Sequence, residues 1–255
     1  MSNRTKALSF RAQQVLADVG LLRRSAKDDF GSADYGRHNQ RRLEHLASLG
    51  LPVCGRSVLE VGAGIGDHTH FFLDRRCTVT TTDARLENVR TLRRRYPNVE
   101  VAQLDLESPS AFSDRMFEIV YCYGTLYHVR TPDVALMYLA ERCGGQLLLE
   151  TCVSKGSGEA VNLTAERKWM PSQAYSGFGC RPTRPWVFNR LAELFPYVYS
   201  TRTQPAHDEF PLDWSGPDID GALTRAIFIA SRSPLRSSSL VPSLPNTHSV
   251  CMEEP

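Results

Sequence analysis

The chain has 255 residues, a net charge of +2 and seven cysteines. That length suffices for one large α/β domain with additions, and so small a net charge excludes a strong global pull toward nucleic acid or membrane, though not a local basic patch. Cys54, Cys77, Cys122, Cys143, Cys152, Cys180 and Cys251 are scattered and form no C-x-x-C pair, a pattern of reduced thiols rather than of a disulfide frame or a zinc site. No apolar run approaches the roughly 18 residues of a membrane span, and the first residues lack the apolar core of a secretory signal. The expectation is a cytoplasmic protein without membrane contact.

Residues 4–24 carry Leu8, Val15, Leu16 and Val19 on one side and predict an amphipathic helix. Asp28 to Gly36 reads as a polar loop. A helix is expected over 37–49, with Leu43, Leu46, Ala47 and Leu49 inward, Arg41, Arg42 and Glu44 outward, and Gly50 and Pro52 ending it. The stretch from Ser57 to Asp67 then reads as a buried strand, a glycine turn and the start of a helix. Val58, Leu59 and Val61 supply the apolar run; Gly62, Gly64 and Gly66 let the backbone turn sharply and approach a ligand. A dinucleotide turn of the form G-x-G-x-x-G would need a third glycine at position 67, which is Asp67.

A β-branched strand, Thr78 to Thr82, ends at Asp83, and a helix over 84–95 follows, with Arg85, Arg90, Arg93, Arg94 and Arg95 on a solvated face. Val99 to Leu104 is the third strand, ending at Asp105 beside Leu106. Phe117 to Cys122 is the fourth, running into Tyr123-Gly124-Thr125-Leu126-Tyr127-His128. A helix over Asp133 to Glu141 and a fifth strand from Gln146 to Leu149, ending at Glu150, complete five strand–helix repeats. Such an order predicts a parallel sheet with right-handed crossovers. Residues 151–182 break the rhythm with glycines and aromatic residues, as a lid or binding loop does. Thr183 and Pro185 open another helix, and Tyr197 to Thr201 and Ala226 to Ala230 read as two final strands. From residue 233 the Ser/Pro composition predicts a disordered tail.

Five features in order, the glycine turn with Glu60, Asp83, Asp105, the strand ending at Tyr123-Gly124 and the strand ending at Glu150, resemble class I S-adenosylmethionine (SAM) dependent methyltransferases over about residues 37–230. The segment from Tyr123 to Pro132, with its Leu126-Tyr127-His128 ending, resembles the bacterial branch that modifies the wobble uridine of tRNA. The resemblance implies a Rossmann-like, seven-stranded, mostly parallel sheet with helices on both faces and an antiparallel last strand. The implied organisation is an N-terminal helical extension (1–36), a methyltransferase domain (37–232) with a substrate lid at 151–186 after strand five, and the tail (233–255).

SAM is the implied cofactor, held by Glu60, Gly62, Gly64, Gly66, Asp83, Asp105, Leu106 and Tyr123. Asp83 reads as a ribose acceptor or a helix cap, and Asp105 as an adenine contact or a turn cap. Asn39 and Arg42 read as surface residues, with the cofactor's carboxylate as the other assignment. His128, with Tyr127 beside it, reads as a general base or as a structural histidine. Trp169, Tyr175, Arg181 and Arg184 are expected to bind substrate, or to serve packing and surface charge. No metal is assigned: His68 and His70 point about 200° apart on a helix, and His207, Asp208 and Glu209 read as a surface loop. The expected acceptor is a hydroxyl of a small molecule or glycan. RNA is the alternative, and a SAM-binding subunit without turnover is the reading from another class.

Overall fold

The computed structural model describes residues 15–16, 30–216 and 223–251. The helix expected over 4–24 lies outside the described residues, apart from Val15 and Leu16.

Helix α1 (Ala33–Ser48) comes first, four residues earlier than the periodicity predicts, because Ser32 caps it by accepting from the Tyr35 amide. There follow β1 (Ser57–Val61), α2 (Thr69–Leu73), β2 (Thr78–Asp83), α3 (Leu86–Arg95), β3 (Glu100–Gln103), β4 (Phe117–Tyr123) and a single 3-10 turn at Leu126–His128. Then come α4 (Pro132–Arg142), β5 (Cys143–Val153), β6 (Leu163–Ala165), β7 (Phe178–Cys180), α5 (Arg184–Leu194), β8 (Tyr197–Thr201), β9 (Thr203–Gln204), β10 (Thr224–Ser231), β11 (Leu240–Val241) and β12 (Ser249–Val250).

The main sheet runs β3-β2-β1-β4-β5-β10-β8-β11. The first five strands are parallel, while β10 runs antiparallel to both its neighbours, β5 and β8. Strand order reverses between β1 and β4, which opens a crevice at the carboxyl ends of the strands. Both faces are buried, so consecutive residues serve opposite cores. Val58, Ile119, Tyr121, Leu148 and Ile227 pack with Leu46 of α1 and Phe72 of α2; Leu59, Val120, Cys122, Leu147 and Phe228 pack with Leu136 of α4 and Leu191 of α5. This alternation across continuous apolar runs makes the strands legible from sequence. No helix among the described residues is long and apolar enough to cross a membrane.

Three expectations need correction. The sheet has an eighth strand, β11, which pairs antiparallel with β8. It belongs to the segment read as a disordered tail. Residues 233–251 are instead docked: Leu240 and Val241 are buried, Ser237 Oγ donates to Leu49 O, the Leu235 amide donates to the Tyr199 hydroxyl, and β12 pairs with β9. Composition misleads here because a few well-spaced apolar residues suffice to cover the open edge of β8, where proline's missing N–H costs little. Second, the insert carries order of its own, an antiparallel pair of β6 and β7 in which Leu163 faces Cys180 and Ala165 faces Phe178. Third, Arg42 is not an outward residue: it is 3% exposed and paired with Glu150, itself fully buried, at 3.0 Å.

Candidate active site

The crevice at the strand reversal encloses about 840 Å³, its open mouth included. One wall is the turn after β1. Gly62, Gly64 and Gly66 all have positive φ, at 70°, 59° and 84°. A Cβ on Gly62 would lie 2.0 Å from Thr125 Oγ1, and one on Gly64 would press the Phe30 ring at 3.2 Å. Gly62 and Gly64 line the crevice, whereas Gly66 packs behind it, where a Cβ would strike Tyr96 and Leu92. Glu60 also sits behind the turn. It is buried, its Oε2 accepts from the Thr69 hydroxyl at 2.6 Å, and burial pushes its carboxyl up to about 7. Glu60 thus braces α2 against β1 and does not line the crevice.

Asp83 ends β2 and faces the crevice. Its Oδ2 accepts from the Gly64 amide at 2.9 Å, and its Oδ1 accepts from the Arg85 amide at 2.8 Å and from Asn88 Nδ2 at 3.1 Å. It is therefore a cap for the next helix and a brace for the glycine turn, and burial raises its carboxyl to about 6. Asp105 caps its own turn by accepting from the Glu107 amide at 3.0 Å, and it lines the crevice with Leu104 and Leu106. Tyr123 stacks on Tyr121 with centroids 4.4 Å apart; its hydroxyl is buried without a hydrogen-bond partner.

Opposite this wall stands His128. Its Nδ1 lies 2.5 Å from Glu166 Oε2. The same Oε2 accepts from the Ala174 amide at 2.7 Å, and Arg181 Nη1 and Nη2 each lie 3.3 Å from Oε1. Burial would raise the Glu166 carboxyl, but the His128 hydrogen bond and charge, the Ala174 amide and Arg181 outweigh it and hold it below the ordinary range. For His128, burial is the largest influence and lowers the imidazole below its usual value, although Glu166 pulls the other way. A carboxylate at Nδ1 fixes the proton there and leaves Nε2 as an acceptor, the arrangement a general base requires. Tyr127, also a lining residue, is held from below by Arg225 Nη2, which donates to its hydroxyl at 3.2 Å. Beneath lies a buried ladder: Arg42 and Arg225 both pair with Glu150 at 3.0 Å, and Arg225 Nε donates to Glu209.

The roof is the segment 166–176, a strap that places Pro171, Gln173 and Tyr175 on the crevice. A single guanidinium nitrogen pins it: Arg85 Nη2 donates to the carbonyls of Lys168, Met170 and Gln173 at 3.0–3.1 Å and reaches that of Ala174 at 3.5 Å. The pattern over 84–95 predicts Arg85 on a solvated helix face; it instead sits just before α3, with its guanidinium turned into the strap.

Of the residues expected to bind substrate, Tyr175 lines the crevice, Trp169 does not, and Arg181 is tied to Glu166. Arg184 lines a different pocket altogether. Asn39 and Arg42, expected on the surface, are buried; Asn39 Oδ1 receives Arg42 Nη1 and faces His68 Nε2 at 3.0 Å. Sequence reading missed Glu166, Phe30 and Tyr35. Phe30 and Tyr35 lie upstream of the first motif, and Glu166 sits in an aperiodic stretch with no local signal. The loop over 207–209 meets α1: ligand atoms of His38, His207 and Glu209 fall within 4.8 Å of one another. The Glu209 carboxylate there is already claimed by Arg225.

A parallel sheet with an antiparallel strand inserted beside β5, a glycine turn after β1 and acidic residues at or just beyond the ends of β2 and β3 are the arrangement of the class I SAM-dependent methyltransferase fold. The residues present fit SAM. Three positive-φ glycines, Gly62, Gly64 and Gly124, leave the backbone bare on the crevice, Leu104 and Leu106 offer an apolar wall, and the Tyr123 hydroxyl is an unpaired buried polar group.

Residues 58–143 match the family model described as a methyltransferase domain. Among curated proteins the chain is 30% identical over 156 residues to the tRNA U34 carboxymethyltransferase of Aliivibrio fischeri, covering 58% of this chain and 46% of that one. It is 32% identical over 143 residues to the protein of the same name from a Psychrobacter species, covering 46% and 39%. The chain thus spans less than half the length of these relatives. Among solved structures, the N-terminal domain of EvdMO1, determined in the presence of SAH and D-fucose, superposes with a TM-score of 0.59 at 20% identity, covering 76% of this chain and 82% of that one. The 1,6-didemethyltoxoflavin-N1-methyltransferase of Burkholderia thailandensis gives a TM-score of 0.55 at 17% identity, covering 89% and 92%. These two likenesses concern the fold.

Proposed function

We propose that the chain transfers a methyl group from SAM to a hydroxyl oxygen, with His128 as general base, and that this hydroxyl is carried by an unpaired nucleoside of RNA. The observation that carries the chemistry is the His128–Glu166 pair facing the crevice. When bound, SAM supplies an electrophilic methyl on a sulfonium sulfur, so that a C–O bond forms as the C–S bond breaks with its electron pair left on sulfur. The chain's own part is alignment and proton removal. His128 Nε2 takes the acceptor's hydroxyl proton, and Glu166 stabilises the imidazolium that results. Asp83 would accept from the ribose hydroxyls, the bare backbone of Gly62 and Gly64 would admit the cofactor, and Leu104, Leu106 and Asp105 would hold its adenine. The strap, pinned by Arg85, excludes water.

Two considerations shape the acceptor. The RNA reading is supported by the tRNA-modifying names of the relatives, together with the Tyr123–Pro132 segment. The transferred group differs from the carboxymethyl group in those names: such a group carries a carboxylate, and the sole permanent cation among the described residues lining the crevice, Arg85, is engaged with strap carbonyls. A small-molecule or glycan hydroxyl is the second reading, favoured by the pinned strap, which suits an acceptor that can be wholly enclosed. Incubation of the protein with labelled SAM and fractionated cell extract separates them. Ribonuclease-sensitive label is the expected result; label in the small-molecule fraction would transfer the case to the second reading. Tight SAM binding without any labelled product would mark a non-catalytic subunit.

A further inference from the structure

A second pocket lies where β5 ends and α5 begins, and it shares no residue with the crevice. We propose that it binds a phosphoryl group carried by a larger molecule, with Arg184 as the charge partner. Arg184 is 6% exposed. Its guanidinium lies 4.0 Å over the Trp214 ring, and Nη2 donates to the Pro245 carbonyl at 2.8 Å. Among the described residues no carboxylate pairs with it. The contrast with Arg42 and Arg225 is direct: these are as deeply buried, and each has Glu150 at 3.0 Å. A buried charge left without a counter-ion is costly, and burial indeed pulls the Arg184 pKa down to about 10.

The rest of the pocket points the same way. Its described lining includes two cationic residues, Arg184 and Lys155, and no acidic one. The Trp214 indole N–H, a donor only, is buried without an acceptor. The first residues of α5 line the pocket, and the helix start lacks a side-chain cap, because the Thr183 hydroxyl is spent on Gly158 O and the Ala160 amide. A buried cation without a counter-ion, an unpaired donor and an uncapped helix start lining one pocket are elements of a phosphate site. The pocket encloses about 1190 Å³, its open mouth included, which leaves room for a phosphoryl group together with the molecule that carries it. The source is a phosphate monoester on a small molecule or a phosphodiester of a nucleic acid.

Titration calorimetry on the full chain tests it, with inorganic phosphate, a nucleoside 5′-monophosphate and a short single-stranded oligonucleotide, each against sodium chloride at equal ionic strength. Inorganic phosphate is expected to bind, and the ester that binds more tightly identifies the source. Arg184→Met and Trp214→Phe should each weaken phosphate binding about tenfold or more, the effect of losing one charged hydrogen bond, with SAM affinity kept as the check on folding. Arg184→Lys should retain more affinity than Arg184→Met. If Arg184→Met does not fold, Trp214→Phe decides, since it keeps the ring and removes only the donor. Absence of phosphate binding at matched ionic strength would overturn the proposal, as would phosphate affinity unchanged in folded Arg184→Met or in Trp214→Phe.

Discussion

His128 Nδ1 and Glu166 Oε2 lie 2.5 Å apart although 38 residues separate them in the chain. The contact ties the end of β4 to the strap and gives the imidazole one proton position. Every donor around Glu166 is already matched: Arg181 faces Oε1, and the Ala174 amide and His128 face Oε2. In Glu166→Gln the new NH₂ must face one of these donors, so the site loses either its anchor or its tautomer. Turnover should fall about 10²-fold or more, toward the roughly 10²–10⁴-fold loss expected of His128→Ala. SAM affinity, measured by titration calorimetry, should stay near wild type in both. Normal turnover in His128→Ala would leave positioning alone as the source of catalysis.

The pH profile follows from the direction of the His128 shift. Its imidazole is held below the usual value by burial, and a histidine in the proposed role of general base works only when unprotonated. kcat/KM should therefore be flat from neutral pH upward and fall on the acid side, through an apparent pKa below the ordinary histidine value of about 6.5. Removing the Glu166 charge should move that limb further toward acid, because Glu166 is what favours the protonated ring. An acid limb unchanged in Glu166→Gln would contradict the pairing.

Asp83 presents the opposite sign. Burial raises its carboxyl to about 6. In the free protein the native state holds this proton more tightly than the unfolded chain, so the group's contribution to stability declines as pH rises from about 3.9 to about 6. With Asp83 as the proposed ribose acceptor, SAM binding should weaken as pH falls through about 6. Asp83→Ala should reduce SAM affinity by about 1.5–3 kcal/mol, the range for hydrogen bonds to charged groups. It should also lower the melting temperature, since the Gly64 and Arg85 amides lose their acceptor. Unchanged affinity in a folded Asp83→Ala protein would leave Asp83 as brace and cap only.

Removal of residues 235–255 should destabilise the fold. The deletion strips β11 from β8, exposes the edge strand and removes Leu240 and Val241 from the core. Burying one such side chain is worth about 1.5–3 kcal/mol, so a clear drop in denaturation midpoint is expected. A truncated protein as stable as the full chain would show the docked segment to be dispensable.

The path from sequence to structure was clear where the physics is local. The glycine turn, the strand end at Asp83 and the position of His128 after β4 all follow from short-range pattern and strand order, whereas β3 stops two residues short of Asp105 and β5 runs three residues past Glu150, because pairing with β10 extends it. The helix before β1 was legible as a helix but not in its burial. Arg42 reads as an outer residue by periodicity, and only the distant Glu150 makes its burial tolerable. Glu166 was illegible for the same reason, since its role is defined by a partner 38 residues away. The Ser/Pro segment failed in the other direction, because average composition hides two or three apolar residues placed where an edge strand needs cover.

The central claim is that the crevice between β1, β2 and β4 is a SAM site. Titration calorimetry of the wild-type protein with SAM, SAH and NAD tests it most directly, with Gly64→Val as the control. Gly64 has φ 59° and a Cβ there would press Phe30 at 3.2 Å, so a branched side chain is expected to close the site. One equivalent of SAM or SAH is expected to bind the wild type, neither to bind Gly64→Val, and NAD to bind neither protein. NAD binding as tight as SAM, or SAM affinity preserved in Gly64→Val, would contradict it.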